Sequence, residues 1–511
     1  MDNSFALLAF LFIAALAFIS KTLYNPTRPD KKLPPGPKPW PIIGNLNLIG
    51  SIPHQSLHSL SQKYGELMLL KFGKFPFVVA SSPEMAKQFL QTHDTVFASR
   101  PALAAGKYTS FNYSGMAWAP YGPHWRQARK IYLTEVFNAK RLDSFKQIRV
   151  EERRSLISHL YSLSGQPVVI RDHLSRYTLS TISRMVLSDK YASESEGQGS
   201  KSGVMMDELR WMLEEWFVLS GVFNIGDWIP WLSFLDLQGY VKRMKALSKK
   251  LDQFLTYVIN DHRARQPIEK DFIPKDMVDV LLQQANDPNL DVKLTGDQVK
   301  ALLQDLLAGG TDTSATTLEW TIYEILKHPY VIEKAKDELN KVIGRNRWVD
   351  ENDFSKLPYI DAIIKESLRL HPLATLLAPH YAIEDCNVLG YDISKGTTVF
   401  INTWSIGRDP KAWDEPEKFS PERFSGKEID MLGNNFALLP FGSGRRRCPG
   451  YNLGLKIVRT TLTNLIHGFE LRLVDGMRVE DICMEEEYGL TTHPKKPLHV
   501  IFEPTLPSHL Y

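Results

Sequence analysis

The sequence predicts a mainly α-helical fold with a small β part, preceded by one apolar N-terminal helix. Apolar residues recur with helical spacing over most of the chain after about residue 120. Short apolar runs between turn residues, at 61–82 and 381–401, favour strands. An unbroken apolar stretch at residues 5–19 opens the chain.

Several elements can be placed from their flanking residues. A long helix is predicted over 295–327, interrupted at 309–310, because two adjacent glycines in a helix interior are unfavourable, each by about 1 kcal/mol against alanine. A second helix covers about 359–370, and a final one follows Pro449 and ends near residue 467. The small, polar run at 191–203 predicts an exposed loop.

The composition fits one large folded domain and does not indicate nucleic acid as a partner. The 511 residues are 43% hydrophobic, and 61 Lys and Arg nearly balance 58 Asp and Glu, so the net charge is +3. Length alone suggests about three domains, but no composition shift divides residues 40–505. We therefore expect one domain at 42–511, after segments 1–22 and 23–41.

The first segment, residues 1–22, is predicted to be a membrane anchor. With its flanking serines the apolar run is 17 residues long, the lower limit for a bilayer core of about 30 Å. A cleaved signal peptide is an alternative, and a buried core helix another, but the charge before the run is Asp2 and the positive residues follow it. This asymmetry predicts a single pass with the rest of the chain in the cytoplasm.

The second segment, residues 23–41, is basic and rich in proline. It ends in LPPGPKPWP, and prolines fix φ and favour an extended, semi-rigid chain. We expect a stiff spacer between the anchor and the domain.

The three cysteines, Cys386, Cys448 and Cys483, do not form a disulfide framework, because they are few, odd in number and far apart. This usage fits a reducing compartment. No Cys-x-x-Cys pair occurs, so a structural zinc site has little support. The surroundings of Cys448 single it out.

Cys448 lies in the stretch FGSGRRRCPG at residues 441–450. Two glycines permit a tight loop with positive φ and close approach to a flat ligand, and three arginines favour the thiolate form that binds metal. Pro449 suits the first position of a helix, whose dipole would also favour an anion. A phosphate-binding loop is a poor alternative, because the expected glycine and Gly-Lys-Ser/Thr patterns are missing.

This stretch resembles the cytochrome P450 pattern Phe-x-x-Gly-x-Arg-x-Cys-x-Gly at every specified position. The resemblance implies the P450 fold, with haem b between the long helix and the helix after the cysteine loop. Cys448 would be the axial thiolate, and Arg446 would pair with a haem propionate. Phe441, Gly444 and Gly450 would complete the cofactor-binding loop. An inert buried cysteine is the alternative.

The long helix carries AGGTDTS at 308–314, which resembles the oxygen-activation segment of the same family. Gly309 and Gly310 remove side chains one turn before Thr313, which leaves room for a small ligand beside a hydroxyl. Asp312 can relay protons by general acid–base chemistry. The alternative is a Ser- and Thr-rich helix whose hydroxyls bond back to the preceding turn.

Glu366 and Arg369 are three residues apart, hence on one face of a helix. Such a pair is usually solvated. With Arg423 in the later PERF stretch, it resembles a family pattern in which the three side chains form a buried network. The resemblance implies support for the cysteine loop and haem retention.

Two further contacts are implied by the family pattern Trp-x-x-x-Arg. Trp125 and Arg129 would both reach haem propionates. His380 stands where many relatives carry an arginine for the same task, and this departure puts its contact in doubt. A structural histidine is the alternative there.

The resemblance covers essentially the whole chain and is greatest to plant microsomal P450s of specialised metabolism, near flavonoid hydroxylases and terpenoid oxidases. It implies a monooxygenase of the endoplasmic reticulum membrane that converts RH, O2, two electrons and two protons to ROH and water. No nicotinamide or flavin pattern occurs, so NADPH–cytochrome P450 reductase would supply electrons, docking on a basic face. That face would comprise Arg126, Lys130, Arg445, Arg447, Lys456 and Arg459. The alternatives are a haem-thiolate isomerase or dehydratase that needs neither O2 nor reductase, and a non-enzymatic haem binder.

Family positions also give candidate substrate contacts. They suggest an apolar cavity with aromatic walls and no fixed charge, suited to a small lipophilic substrate. A phenylpropanoid, flavonoid or lignan is preferred to a terpenoid, with Thr375, Thr491 or Thr492 offering polar contacts. The candidates are Phe111, Tyr113, Met116, Phe217, Phe223, Leu302, Leu306, Gly309, Leu373, Thr375, Leu376 and Leu490.

Overall fold

The computed structural model describes Ala14 and residues 31–191, 206–265 and 273–511. Helices dominate these ranges, as the sequence predicts. They are α1 (Pro53–Tyr64), α2 (Pro83–Lys87), α3 (Asp94–Phe97), α4 (Ala104–Thr109), α5 (Pro123–Ile131), α6 (Ala139–Ser144), α7 (Lys146–Ser162), α8 (Ile170–Leu187), α9 (Met206–Gly221), α10 (Ile225–Trp228), α11 (Tyr240–Arg265), α12 (Met277–Ala285), α13 (Gly296–Lys327), α14 (Pro329–Val342), α15 (Pro358–Leu370), α16 (Thr403–Ile406) and α17 (Tyr451–Gly468).

The β part is small and divided among four sheets. The largest has the order β1-β2-β7-β4, in which β2 and β7 are parallel and the other pairs antiparallel. A three-stranded antiparallel sheet has the order β3-β11-β8, and β5-β6 and β9-β10 form two hairpin-like pairs. The strands are β1 (Leu67–Phe72), β2 (Phe75–Ala80), β3 (Pro167–Val169), β4 (His380–Tyr381), β5 (Cys386–Val388), β6 (Tyr391–Ile393), β7 (Thr398–Ile401), β8 (Phe469–Leu473), β9 (Glu486–Glu487), β10 (His493–Pro494) and β11 (His499–Pro504).

The long helix α13 is the central element. Thr295 caps it: its side chain accepts from the backbone of Gln298, whose own side chain accepts from the backbone of Thr295. The helix then continues through 309–310 without the predicted interruption. It packs along α8 and against α17, and most of its residues are buried. Neighbours on both sides hold it, so tertiary packing outweighs the low helix propensity of the glycines.

Two other boundaries differ from the sequence predictions. Residues 61–64, expected in a strand, belong to α1, which ends where Gly65 adopts φ 102°. Helix α17 follows Pro449 as expected, but it begins at Tyr451 with Gly450 as its N-cap, so Pro449 does not occupy its first position. Helix ends commonly shift by this amount, because the first turn has no internal hydrogen bonds to fix it.

The predicted anchor at 1–22 lies outside the described residues except for Ala14, and most of the loop expected at 191–203 lies outside them as well. Among the residues described, no helix is both long and apolar enough to cross a bilayer. The proline-rich segment is described from residue 31 and lies along the domain. Leu69 donates its backbone N–H to Pro35 O at 2.8 Å, so this part of the spacer is fixed to strand β1.

Candidate active site

The cysteine loop reverses direction tightly before α17. Gly442 and Gly444 adopt φ of 66° and 67°, a conformation that side chains disfavour. A Cβ on Gly444 would lie 1.8 Å from Leu90 O, so only glycine fits. The Cys448 N–H donates to Phe441 O at 2.9 Å. These constraints fix the thiol at the floor of a cavity beneath α13.

The Cys448 residue is half-buried and lines the cavity. Burial raises its pKa, while the backbone N–H groups of Gly450 and Tyr451 and the charges of Arg129 and Arg447 act to lower it. The arginines and helix start therefore favour the anion, as expected, but burial outweighs them in the protein alone. A metal ion deprotonates a coordinating thiol outright, so this sulfur suits a metal ligand better than a free thiolate nucleophile.

A cavity of about 280 Å³ lies between α13 and the cysteine loop. Of the residues proposed from sequence, those at its wall are Met116, Trp125, Arg129, Phe217, Leu306, Gly309, Thr313, Phe441, Arg446, Cys448, Gly450 and Leu490. Wall residues that sequence reasoning missed include Arg100, Tyr132, Ile182, Val186, Trp216, Met277 and Asp305.

Three arginines at one end of the cavity lack an anionic partner. In the part of the chain that the structure describes, no carboxylate pairs with Arg100, Arg129 or Arg446. Burial lowers the pKa of Arg446 to about 7, and the charges of Arg100 and Arg129 act in the same direction. Its guanidinium lies 4.4 Å from the ring centroid of Trp125 and donates to main-chain carbonyls, including Ala98 O at 2.6 Å.

Such a cluster is stable only with anions beside it, because unpaired buried charge is costly. A buried thiol and three unpaired cations at one cavity wall together fit haem, a metal complex that carries two carboxylates.

His380 lies behind this cluster and does not line the cavity. It is buried, and its Nδ1 is 2.9 Å from Phe97 O. Burial and the nearby charge of Arg100 lower its pKa well below the ordinary value, so it is neutral. Arg100 reaches the wall instead, held by the carbonyls of Ala117, Ala378 and Pro379. No sequence pattern pointed to Arg100, since two of these three partners lie almost 280 residues away.

On α13 the two glycines face different surroundings. A Cβ on Gly309 would have no atom within 4 Å, whereas one on Gly310 would lie 2.5 Å from Ile182 Cδ1 on α8. Gly309 therefore leaves room at the cavity, as expected, while Gly310 permits close helix packing. Thr313 also lines the cavity, but its hydroxyl donates to Gly309 O at 2.7 Å, the bond to the preceding turn that was the alternative expectation for this stretch.

Asp312 is not at the cavity wall. Its carboxylate accepts from the Thr491 hydroxyl at 2.5 Å and lies 3.3 Å from His493 Nε2. Burial raises the pKa of Asp312, but His493 and Thr491 outweigh it and hold the pKa below the ordinary value. Burial lowers the pKa of His493, but Asp312 outweighs that and raises it. The other ring nitrogen of His493 is 3.1 Å from the Thr316 hydroxyl.

The structure brings Glu366, Arg369 and Arg423 together. Arg369 donates to both Glu366 oxygens at 2.7 and 2.8 Å, and Arg423 Nε donates to one of them at 2.8 Å. The Ser420 N–H adds a fourth bond to the same carboxylate at 2.8 Å. Arg369 also donates to Pro416 O at 2.6 Å. The network therefore ties α15 to the segment that precedes the cysteine loop.

Seven substrate candidates lie away from the cavity wall. Phe111 lies under the ammonium group of Lys300, and the Tyr113 hydroxyl donates to Leu103 O. Phe223 packs against Phe72 and Phe400. Buried or bonded elsewhere in the same way are Leu302, Leu373, Thr375 and Leu376.

The expectation of a cavity without fixed charge is wrong. Asp305 lies at its wall, and burial raises the pKa of this carboxyl to about 7. Sequence reasoning placed Leu302 and Leu306 on the Thr313 face of α13 but did not consider Asp305, between them and eight residues before Thr313.

Comparisons with known proteins agree with the haem site that this geometry indicates. The cytochrome P450 family model matches residues 34–501. The chain is 43% identical to dimethylnonatriene synthase of Zea mays, covering 100% of this chain and 98% of the relative. It is 41% identical to flavonoid 3'-monooxygenase of Petunia hybrida, covering 99% of each. A zebra fish cytochrome P450 solved with abiraterone superposes with a TM-score of 0.73 at 26% identity, covering 89% of this chain and 100% of that one.

Proposed function

Because this chain belongs to the cytochrome P450 family, we propose that it oxidises a small, largely apolar plant metabolite, an isoprenoid in preference to a flavonoid. The chain is a haem-dependent monooxygenase, and the Cys448 thiolate would hold its haem b. The single observation that carries the substrate proposal is the wall of the cavity above that thiol.

When bound, haem supplies the activation of dioxygen. The protein's part is to hold the cofactor, place the substrate and deliver protons. Arg446 and Arg129 would hold the propionates, and we add Arg100, which lines the same wall. Trp125, expected to reach a propionate itself, would act through Arg446, because its Nε1 donates to Met116 O at 3.2 Å and its ring lies 4.4 Å from the Arg446 guanidinium. His380 acts indirectly, as a neutral buried residue beside Arg100.

Thr313 and Asp312 take part in proton delivery. Thr313 presents its hydroxyl to the cavity next to the open face of Gly309. Asp312 is connected to His493, whose side chain keeps 27% of its surface exposed. Protons pass from solvent to His493 and Asp312, and Thr313 positions the hydrogen bonds at the reacting end of the cavity.

The cavity favours an isoprenoid. Its wall has eight large aliphatic or thioether side chains against six aromatic ones: Met116, Ile182, Val186, Met277, Leu306, Leu453, Ile457 and Leu490. The aromatic and hydroxyl candidates that favoured a phenolic ring lie elsewhere, since Phe111 packs on Lys300 and Thr491 bonds Asp312. A flavonoid remains the second candidate, because Trp216 and Phe217 line the cavity and a flavonoid-oxidising relative is 41% identical.

Electrons come from NADPH–cytochrome P450 reductase, docking near the cysteine loop. Three members of the expected basic face are already paired: Arg445 with Asp94, Lys456 with Glu351, and Arg459 with Asp361. Each of these is an ion pair with a single carboxylate. Arg126 and Lys130 on α5 are exposed, and in the described ranges no carboxylate pairs with them. They are the strongest candidates for meeting an acidic partner surface.

Docking is tested by measuring turnover against reductase concentration. Arg126→Glu together with Lys130→Glu is expected to raise the reductase concentration for half-maximal turnover, most at low salt. Lys245→Glu on α11 is the matched control. An unchanged dependence in the α5 variant would contradict this docking site.

We also propose that the protein is a single-pass protein of the endoplasmic reticulum membrane, anchored by 1–22, with 23–41 as spacer and 42–511 in the cytoplasm. An exposed apolar cluster at 231–237 supports membrane contact: Phe234 is 80% exposed and Leu237 61%. Trp40, 65% exposed, lies on a turn bridged through Gly44 to Phe72 of β1. The adjacent Gly73 lies against the carbonyl of Trp228, three residues before this cluster. Such patches mark membrane or protein contacts.

The membrane proposal has two tests. Without residues 1–22 the protein should still sediment with vesicles, and Phe234→Ser with Leu237→Ser should release it while the carbon monoxide spectrum is kept. In the full chain, Asn112, an exposed residue of an Asn-x-Ser sequon, should remain unglycosylated. A glycosidase-sensitive mass shift there would contradict the cytoplasmic orientation.

The function itself is tested with purified protein, reductase, NADPH and a substrate panel, with products identified by mass spectrometry. A terpenoid that gives a high-spin shift and an oxygenated product would support the preferred class. Turnover only with flavonoids would overturn it. Conversion without O2 and reductase would instead reveal the isomerase or dehydratase class.

A further inference from the structure

One face of α13 meets strand β10 and the residues beside it. Its polar side chains are spaced by three or four residues, so they lie on the same side of the helix: Asp312, Thr316, Glu319 and Tyr323. Asp312 and Thr316 contact the two ring nitrogens of His493. Glu319 keeps only 2% of its side chain exposed, and the proton route through Asp312 and His493 leaves this carboxylate without a task.

Arg171 joins this face of α13 to β10. From the first turn of α8, its Nε lies 2.9 and 3.0 Å from the two Glu319 oxygens, and its Nη2 donates to Pro494 O. Pro494 directly follows His493 in the strand. A guanidinium can make both contacts because its donors form a planar, rigid fork. The ion pair therefore fixes the backbone beside His493 against the helix that carries Asp312.

Two neutral side chains of α13 hold the same segment. The Trp320 indole N–H donates to Thr492 O at 3.0 Å. The Tyr323 hydroxyl lies 2.7 Å from Lys496 O and 3.2 Å from Glu319 Oε1. Because neither side chain is charged, both act by contact alone.

Charged groups on three helices act on the His493 ring. Asp312 and Glu319 on α13 favour its protonated form, whereas Arg171 on α8 opposes it. Burial raises the pKa of Glu319, and the Arg171 guanidinium opposes that rise. Glu214 on α9 also interacts with the ring, but its side chain is 56% exposed, so solvent screens its charge.

The Thr316 hydroxyl suits either charge state of the ring. It lies 3.1 Å from His493 Nδ1, and a hydroxyl can accept from a protonated nitrogen or donate to a bare one. The ring can therefore gain or lose a proton at Nδ1 while its Nε2 stays beside Asp312. A histidine held in this way changes its charge without losing a hydrogen bond.

We propose that Arg171 and Glu319 are positioning residues for proton delivery through His493. Their ion pair holds the ring against Asp312, and the negative charge of Glu319 keeps the ring protonated. The inference rests on the proposed function and deepens it, since it names the residues that control His493. Arg171 and Glu319 do not line the cavity, so their effect on turnover passes through the histidine.

The experiment labels the purified holoprotein with diethyl pyrocarbonate over a series of pH values. This reagent acylates the neutral imidazole ring, and peptide mass spectrometry distinguishes His493 from the other histidines. The His493 side chain is 27% exposed, so the reagent can reach it. The labelling rate reports the neutral fraction of this one ring and requires no turnover.

Glu319→Gln keeps the shape of the side chain but removes its charge. The midpoint of the labelling curve should move to lower pH, and below the parent midpoint the rate at His493 should rise about threefold or more. Glu485→Gln is the matched control, because it removes a carboxylate from an exposed pair with Lys495, two residues after His493. Its curve should match the parent. A purely structural role for Glu319 would lower stability and leave the midpoint in place.

Arg171→Lys keeps the charge but loses the fork, so one ammonium group cannot serve both Glu319 and Pro494 O. The labelling midpoint should stay near that of the parent. The product formed per NADPH, with the substrate that the panel identifies, should fall about twofold or more because His493 is no longer held in place. In Glu319→Gln the same yield should decline at lower pH than in the parent, since the protonated ring is lost earlier.

Variants are compared only when they keep the full reduced carbon monoxide band. An unchanged labelling midpoint in Glu319→Gln would overturn the proposal, and so would an unchanged yield per NADPH in Arg171→Lys. Labelling is independent of turnover, so it separates the two levels of inference. A shifted midpoint in a protein whose parent oxygenates no substrate would leave the control of His493 in place and remove only the proposed function.

Discussion

Alanine is expected to have opposite effects on packing at the two adjacent glycines of α13, Gly309 and Gly310. A Cβ on Gly309 meets no atom within 4 Å, but a Cβ on Gly310 would lie 2.5 Å from Ile182 Cδ1 and 2.9 Å from its Cγ1. Optimal carbon–carbon contact is about 3.5–4.0 Å. Either Ile182 must change rotamer or α8 must move away from α13.

Alanine at each position separates this strain from helix propensity. Both variants gain about 1 kcal/mol by replacing glycine inside a helix. Only Gly310→Ala overpacks the contact with Ile182, at a cost of about 1–3 kcal/mol. Because the propensity gain is common to both, Gly310→Ala should be about 1–3 kcal/mol less stable than Gly309→Ala.

The assay is urea unfolding of holoprotein with equal haem content, followed by far-UV circular dichroism. The Ile182→Ala background removes both clashing atoms, so there the two alanine variants should converge. Equal stability of Gly309→Ala and Gly310→Ala with Ile182 intact would refute the packing argument. Gly309→Ala should in turn alter ligand-binding spectra, since its methyl group enters the cavity beside Thr313.

Three further predictions concern the Glu366 network, the Thr313 hydroxyl and the Asp312–His493 ion pair. Glu366→Gln leaves two buried arginines without their carboxylate and should cost about 3–5 kcal/mol, measured by urea unfolding and haem yield, while Glu485→Gln at an exposed pair should change little. Thr313→Ala should retain haem but divert NADPH electrons to peroxide or water, and fully coupled product formation would contradict its role. His493→Gln should lower stability most below the ordinary His493 pKa of 6.5. Because the pKa of His493 is raised, the Asp312–His493 pair contributes its full stability below pH 6.5 and loses it as pH rises through the folded-state pKa. A stability difference between parent and variant that grows with pH would contradict the pairing.

Local sequence was sufficient for the elements whose constraints are local. The loop around Cys448 could be predicted because its glycines, arginines and proline lie within ten residues of the chain. The long helix was predictable because a continuous apolar pattern directly follows its cap at Thr295. Its passage through the glycines was not, since the contact that uses Gly310 comes from Ile182 on α8.

Local sequence could not identify residues whose positions depend on partners far away in the chain. Arg100 reaches the cavity wall because carbonyls at Ala378 and Pro379, almost 280 residues away in the sequence, hold it. Phe223 was expected to face a substrate, yet its ring lies against Phe72 and Phe400. An aromatic side chain in a family position fills core or cavity according to what packs behind it, and a single sequence does not contain that information.

The neighbours Asp312 and Thr313 form one pattern in the sequence but face two environments in the fold. Consecutive residues of an α-helix point about 100° apart, so Thr313 faces the cavity while Asp312 faces β10 and His493. Asp312 is thereby kept away from the cavity wall and is placed next to His493, a side chain that reaches solvent. A helix can thus hold the Asp312–His493 ion pair close to a reaction chamber without placing that pair at the chamber wall, because one backbone step separates the two faces.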